Sequence, residues 1–272
     1  MPELPEVETT RRGLEPHCVG RVIERAVVRE SRLRWPVPAE LATAITGARI
    51  WQLDRRGKYL IMRFDSGSAV MLHLGMSGYI RVVPPHTPPL KHDHVEFLVG
   101  SDCCLRFHDP RRFGSIHLTE EPAESHPLLR SLGPEPFDAR FDGAYLYAQA
   151  GNRRLAVKAF IMDSRIVVGV GNIYATEALF RAGIHPARAA GRVSRKRFEG
   201  LAATIRAVLA EAIEAGGTTL RDFSRSDGQP GYFQQSLDAY GRGGQPCRRC
   251  GRTLRTSRLG QRATVYCPGC QR

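Results

Sequence analysis

The chain opens MPELPEVETTRRGLEPHC, residues 1–18. Leu4, Val7, Leu14 and Cys18 recur at spacings of three, seven and four, which is one face of a helix. Pro5 suits the first turn, Glu6 and Glu8 suit the positive end of the dipole, and Gly20 ends the segment. Termini usually fray; this one reads as docked. Directly after it the period changes. From about residue 21 to 119 the stretches VIERAVVRE, ARIWQLDRRG, KYLIMRF, AVMLHL, YIRVV, HVEFLV and CLRFH read as seven short strands, with turn residues such as DSGS and GSD between them. Strands at this spacing predict a β-sandwich or barrel.

From about residue 125 the pattern becomes helical, after which GPEPF at 133–137 reads as a linker. NIYATEALFRAGIHP is a helix ending at Gly183 with Pro186 beyond it. A turn of about ten residues follows, and then a helix from a Ser194 cap to Gly216. Phe198, Leu201, Ala202, Ile205, Leu209, Ala212 and Ile213 form its apolar stripe, read as core. Helix, turn, helix is a common way to grip phosphate.

A chain of 272 residues suits two domains. It has no apolar run approaching the roughly 18–20 residues of a membrane span. The acidic, polar start is not a secretory signal, so the expectation is a soluble cytoplasmic protein. The net charge of +13 points to a polyanionic partner, with nucleic acid the commonest one. Thirty-six arginines against four lysines fit phosphate recognition, which favours the planar guanidinium fork. Cys18, Cys103 and Cys104 are scattered and read as reduced, half-buried small hydrophobes.

The other four cysteines lie in CRRCGRTLRTSRLGQRATVYCPGC, residues 247–270. Cys247 and Cys250, then Cys267 and Cys270, form two CxxC pairs sixteen residues apart, within the zinc-ribbon range. Four thiolates close a tetrahedron without an open position, so one structural Zn2+ is expected. Residues 241–272 hold eight arginines and no acid, which suits a duplex-gripping element. Taken alone this segment is a zinc-ribbon binding module.

The first residues allow a second reading. If Met1 is removed, Pro2 carries a free secondary amine with a pKa near or somewhat above about 7.7–8.0. Its neutral fraction can attack a carbon electrophile and form an iminium. Glu3 and Glu6 stand close enough for acid–base work. The alternative, a plain helix start, remains open on these residues alone.

The whole pattern resembles the formamidopyrimidine-DNA glycosylase family. MPELPEVETTRRGL, RRGKYL (55–60), HLGMSG (73–78), DPRRFG (109–114), VVGVGNIYATEALFRAGIHP (167–186), SDGQPGYF (226–233) and the terminal cysteine segment occur in order over essentially the whole chain. Endonuclease VIII, the sister group, usually has Gly where Leu4 stands and lacks the QRAT-type ending. The match therefore favours oxidised purines over oxidised pyrimidines.

The resemblance implies an α+β fold. An N-terminal helix and β-sandwich would occupy residues 1–132, a helix–two-turn–helix domain 138–240 and a zinc-finger β-hairpin 241–272. It implies a monomeric bifunctional glycosylase and AP lyase acting on duplex DNA. Pro2 would be the nucleophile, Glu3 the acid at the sugar ring oxygen and Glu6 a supporting carboxylate. Met76 and Phe113 would fill the hole left by the flipped nucleotide. Arg111 would pair with the orphaned cytosine. Lys58 would reach the DNA backbone and the lesion's pocket. Asn172, at a helix start where it could cap, would pinch the flanking phosphates with Arg262. Tyr174 would add a phosphate contact, and Thr218 to Tyr232 would form a lesion-reading lid. In KHDH (91–94), His92 is expected near DNA and no second metal is expected. Ser164, Arg165 and Ala159 depart from the residues most frequent in the family and read as structural.

Overall fold

The computed structural model describes residues 2–216 and 237–272. They fall into two compact units. The first holds residues 2–130 with 215–216, and the second 131–214 with 237–272.

In the first unit α1 (Leu4–Cys18) precedes eight antiparallel strands. These are β1 (Ile23–Val28), β2 (Ile50–Arg56), β3 (Tyr59–Phe64), β4 (Ser68–His73), β5 (Tyr79–Val83), β6 (Asp93–Val99), β7 (Cys103–His108) and β8 (Ser115–Glu120). One sheet runs β1-β6-β7-β5 and the other β2-β3-β4-β8. Seven strands were expected. The eighth, SIHLTE, follows the DPRRFG turn and pairs with β4 from Ser68↔Glu120 to His73↔Ser115. Its alternation is short and shared with polar residues, so tertiary pairing rather than pattern defines it. The short helix α2 (Leu41–Ile45) interrupts the long β1–β2 connection.

The core of this unit draws Phe97, Leu105 and Phe107 from one sheet and Leu60, Met62, Phe64 and Leu72 from the other. Val7, Leu14 and Cys18 of α1 join it, as the helical spacing demands. Cys18, Cys103 and Cys104 are buried rather than half-buried. Burial pushes the Cys18 thiol up to about 12 and raises the other two, which keeps all three unreactive.

A partly buried charge cluster ties α1 to the sandwich. The Glu8 carboxylate accepts from Arg11 Nη2 at 3.1 Å, Arg12 Nε at 3.0 Å and Arg55 Nε, at the end of β2, at 3.0 Å. Arg11 Nη1 also donates to the Leu53 carbonyl at 3.3 Å. The helix is thereby tied to the strand that leads into the Lys58 turn.

The first unit closes with α3 (Pro127–Arg130), and the second unit is helical: α4 (Gly143–Ala150), α5 (Val157–Ile161), α6 (Asn172–Arg181) and α7 (Arg195–Glu214). Ser194 Oγ accepts from Arg197 N at 3.4 Å at the start of α7, and the expected stripe from Phe198 to Ile213 is buried. The GPEPF segment is docked rather than free: Gly133 N donates to Ser164 O at 2.8 Å, and Pro134 O accepts from Val168 N at 3.2 Å. A hairpin of β9 (Arg255–Leu259) and β10 (Arg262–Tyr266) packs Val265 against Phe180 of α6. Among the described residues no helix is long and apolar enough to cross a membrane.

Burial would raise the Glu8 carboxyl, but hydrogen bonds and charge from Arg11 and Arg55 overcome it and hold it below its ordinary 4.5. A lowered carboxyl stabilises the fold above that value and loses its contribution as pH falls through the lowered one. Glu8→Gln is therefore expected to lower Tm by a few degrees at pH 7, an effect of about 1–2 kcal/mol. The gap between variant and wild type should close as pH falls below about 4 in thermal melts; a constant gap would show that the charge is not its source.

Candidate active site and metal centre

Glu3 caps α1 in an extended conformation, with Pro5 in the first turn. Its backbone N–H donates to Glu6 Oε2 at 2.8 Å. Pro2, Glu3 and Glu6 are all buried, the two carboxyl residues at 1 % exposure each. Buried carboxyl groups this close to a chain terminus are not a solvated helix start, since Glu almost never loses all its water without a role or a partner. The structure thus gathers the candidate nucleophile and both candidate acids on one short stretch of buried backbone.

Lys58 follows Gly57, whose φ of 57° makes the β2–β3 turn tight. The ammonium is near His73 at the end of β4. Burial first, and then the charges of Lys58, Arg34 and His117, push that imidazole down to about 4. His73 is accordingly neutral at pH 7, and its Nδ1 accepts the Gly75 N–H at 3.0 Å. The sequence reading passed over His73 although it opens HLGMSG.

Met76 and Phe113 sit on neighbouring loops and are exposed, at 39 % and 43 %. Large apolar side chains left in solvent beside each other mark a contact surface. Arg111 joins them: its guanidinium lies 5.0 Å from the Phe113 ring centroid, and Nη2 is 3.5 Å from Met76 Sδ. The buried Asp109 organises both loops. Its carboxylate accepts from Ser77 Oγ at 3.0 Å, Arg111 N at 3.3 Å and Gly114 N at 2.8 Å. Asp109 was missed; an Asp before Pro and a turn was the available signal.

In KHDH, Asp93 and His94 are committed inward. Asp93 pairs with His108 Nδ1 at 2.8 Å and Arg81 at 2.6 Å, and His94 Nε2 bonds to Asp109 O at 2.7 Å. His92, like Asp93 and His94, lines an open cavity of about 520 Å3, with Lys91 and Arg112.

In the second unit Gly171, not Asn172, caps α6. Asn172 is the first helical residue, and its Nδ2 donates to Ala263 O of β10 at 3.3 Å. The same carbonyl accepts from the buried Lys158 Nζ at 3.3 Å, which also donates to Thr264 Oγ1 at 2.9 Å. Asn172 is thereby tied to the residue next to Arg262, whose side chain is exposed. Tyr174 is 1 % exposed, so its ring is core rather than surface. Lys158 stands out in the sequence only as one of four lysines; Glu177 gives no signal there, and its buried carboxylate accepts the N–H groups of Asp238, Ala239 and Tyr240 at 2.7–2.9 Å. Burial raises the Glu177 carboxyl despite those three bonds. Thr218 to Tyr232 lies outside the described residues.

The sulfurs of Cys247, Cys250, Cys267 and Cys270 all lie within 4.8 Å of one another. The Cys247–Cys270 and Cys250–Cys267 separations are 3.9 and 3.4 Å. Zn–S bonds of about 2.3 Å in a tetrahedron put sulfurs about 3.8 Å apart, so the quartet fits one Zn2+. Arg249 N donates to Cys247 Sγ at 3.4 Å, as backbone amides do to metal-bound thiolates. No other metal-ligating cluster occurs among the described residues.

Three family models match the chain in order: the formamidopyrimidine-DNA glycosylase N-terminal domain over residues 1–116, its H2TH domain over 132–224, and the zinc finger found in FPG and IleRS over 244–272. The chain belongs to the formamidopyrimidine-DNA glycosylase family. It is 61 % identical to the formamidopyrimidine-DNA glycosylase of Methylococcus capsulatus over 272 residues, the whole of both chains. It is similar to the crystal structure of the MutM (Fpg) protein of Thermus thermophilus, with 39 % identity, a TM-score of 0.89 and coverage of 99 % and 98 % of the two chains. It is also similar to a Lactococcus lactis Fpg variant in complex with Fapy-dG-containing DNA, with 33 % identity, a TM-score of 0.92 and 99 % of each chain covered. The α+β sandwich, the helical H2TH segment and the zinc-finger hairpin are those of this glycosylase family.

Two outcomes follow from the geometry. A Cβ on Gly75 would lie 2.4 Å from Gly114 N, at a φ of 68°. Gly75→Ala should therefore part the Met76 and Phe113 loops, lowering excision kcat/KM at least about tenfold with a Tm change of only a few degrees. Cys267→Ser should lose the metal, measured by atomic absorption, and with it duplex binding, while far-ultraviolet dichroism stays near that of the wild type. Structural zinc contributes about 10–16 kcal/mol in finger peptides, more than so small a hairpin core can replace.

Proposed function

We propose that this chain is a bifunctional DNA glycosylase and AP lyase of base excision repair, excising 8-oxoguanine and formamidopyrimidines from duplex DNA. The observation that carries the chemistry is the burial of Pro2, Glu3 and Glu6 together at the start of α1. Removal of Met1 leaves the Pro2 nitrogen as a secondary amine with a pKa near or somewhat above about 7.7–8.0, so a useful fraction is neutral at pH 7. The neutral amine attacks C1′ of the flipped nucleotide. The glycosidic bond breaks, its electron pair leaves with the base, and a proton goes to the departing base.

Glu3 then protonates the ring oxygen, the sugar opens, and C1′ and the proline nitrogen are joined as a cationic iminium. That cation is an electron sink. Loss of a C2′ proton expels the 3′ phosphate, and a further proton loss expels the 5′ phosphate, leaving a gap. Glu6, bonded to the Glu3 N–H, holds that residue's backbone in register.

Base extrusion costs a few kcal/mol. Met76 and Phe113 repay part of it by stacking into the vacated space, and Arg111 between them donates to the orphaned cytosine. Lys58 and His92 reach the backbone of the first unit's side of the duplex. Asn172 and Arg262, coupled through Ala263, hold the phosphates flanking the lesion, and Tyr174 contributes its backbone at the α6 N-terminus rather than its ring. The zinc takes no part in the chemistry; it holds the hairpin that carries Arg262. The enzyme acts as a monomer in the bacterial cytoplasm, on the nucleoid.

The test is borohydride trapping on a duplex with 8-oxoguanine opposite cytosine, followed by peptide mass mapping. An adduct on Pro2 is expected, and none from protein that retains Met1. Trapping on an oxidised pyrimidine but not on 8-oxoguanine would move the specificity to the sister group. No adduct on either lesion, from protein starting at Pro2, would leave a zinc-stabilised DNA binder.

A further inference from the structure

The helix α6 spans ten residues, roughly 15 Å, from Asn172 toward Gly183. Beyond its far end the second unit has an open hollow of about 580 Å3, lined by His185, Ala187, Arg188, Ala189, Arg192 and Arg272. Three of these six residues are arginine and none is acidic. Among the described residues, Arg188, Arg192 and Arg272 make no ion pair with a carboxylate, whereas Arg181 nearby pairs with Glu211 at 2.6 Å.

The walls are fixed by backbone bonds from three separate stretches of chain. Val157 N donates to Arg188 O at 2.7 Å, Ala190 N to Leu155 O at 2.8 Å, His185 N to Arg272 O at 3.2 Å and Arg272 N to Gly183 O at 3.0 Å. Gln271 adds a side-chain bridge, accepting from Cys267 N at 2.8 Å and donating to Ile184 O at 2.9 Å. Arg188 Nη1 donates to Arg192 O at 3.3 Å, which holds one guanidinium at the rim. The His185 ring packs edge-on against Tyr266 at 4.5 Å. The Arg188 guanidinium is thus pre-positioned for a ligand, while Arg192 and Arg272 are exposed beside it.

The positive field is felt by its neighbours. Burial first, and then the Arg188 charge, push both the His185 imidazole and the Arg197 guanidinium below their ordinary values. Such a cluster is stabilised by an anion that several guanidinium forks can share. Phosphate offers three acceptor oxygens and matches the fork. A peptide carboxylate is a poorer match, because its two oxygens can engage fewer guanidinium forks than a phosphate's three.

We propose that this cavity is a second phosphate-binding site, remote from Asn172 and Arg262 within the same unit and with no part in the excision chemistry. Its ligand is a phosphate group, either of a free phosphate or nucleotide or of a nucleic-acid strand beyond the lesion.

The experiment uses the full-length zinc-bound protein, pyrophosphate as probe, calorimetric titration for affinity and the ring resonances of His185 for location. Arg188→Glu with Arg192→Glu is expected to weaken pyrophosphate binding at least about tenfold, or 1.4 kcal/mol. Arg188→Lys with Arg192→Lys, which keeps charge but loses the fork, should fall between. His185 should shift on titration in the wild type. Excision from a short duplex should be equal in all three proteins, so a failure of the catalytic reading would be seen separately. If the source is a strand, lengthening the duplex will tighten binding in the wild type more than in the Glu variant. If it is a free phosphate, duplex length will matter equally to both while the pyrophosphate difference persists.

Equal pyrophosphate affinity in wild type and Glu variant would overturn the proposal, as would an unmoved His185 resonance. A polyglutamate peptide that binds where pyrophosphate does not would replace phosphate with an acidic protein segment. Should the Glu variant melt below the assay temperature, the Lys variant and the wild-type His185 shift decide the matter.

Discussion

A chain terminus proposed to perform covalent chemistry must first be held against its own conformational freedom, and here the Glu8 carboxylate bridges α1 to β2. Glu8 sits between Arg11, Arg12 and Arg55, two of them on its own helix and one at the end of β2. Those bonds set the rotation and height of α1 on the sandwich, while Val7, Leu14 and Cys18 supply its apolar seat. With the helix placed, Glu3 and Glu6 are carried into burial, and Pro2 with them. Desolvation is what separates Glu3 and Glu6 from ordinary surface glutamates, since water no longer competes for their hydrogen bonds.

The second unit solves a related problem by different means. Its hairpin is ten residues of mostly exposed strand with a core of a few side chains, too little to fold by burial. The cysteine quartet supplies the missing stability, and one backbone carbonyl then locates the product. Ala263 O receives both Asn172 and Lys158, so the start of α6, the buried lysine of α5 and the strand bearing Arg262 share one anchor. Side chains from distant parts of the chain are thereby brought to neighbouring positions through one shared acceptor.

The loops that carry Met76 and Phe113 rest on Asp109. One buried carboxylate satisfies Ser77, Arg111 and Gly114, and Gly75 abuts Gly114 so closely that no side chain fits. Rigid backbone beneath exposed Met76 and Phe113 lets two apolar side chains stand in water, so little backbone ordering remains when a partner contacts them.

Much of this was written in local pattern. The helical spacing of Leu4, Val7 and Leu14, the period-two strands, the stripe of α7 and the paired CxxC motifs each act over a few residues, and local spacing is enough to announce them. The strand SIHLTE was not announced, because its only commitment is to β4 across the sheet. Nor could the sequence say that Gly171 rather than Asn172 caps α6, that the Tyr174 ring is core, or that GPEPF is docked, since each depends on a partner far away in the chain. The roles of Asp109, Glu177 and Lys158 belong to the same class. Each is an ordinary charged residue in sequence, and only its burial against named backbone groups makes it consequential. Periodicity and motif spacing are properties of neighbours along the chain; burial and shared acceptors are properties of neighbours in space, which the fold alone creates.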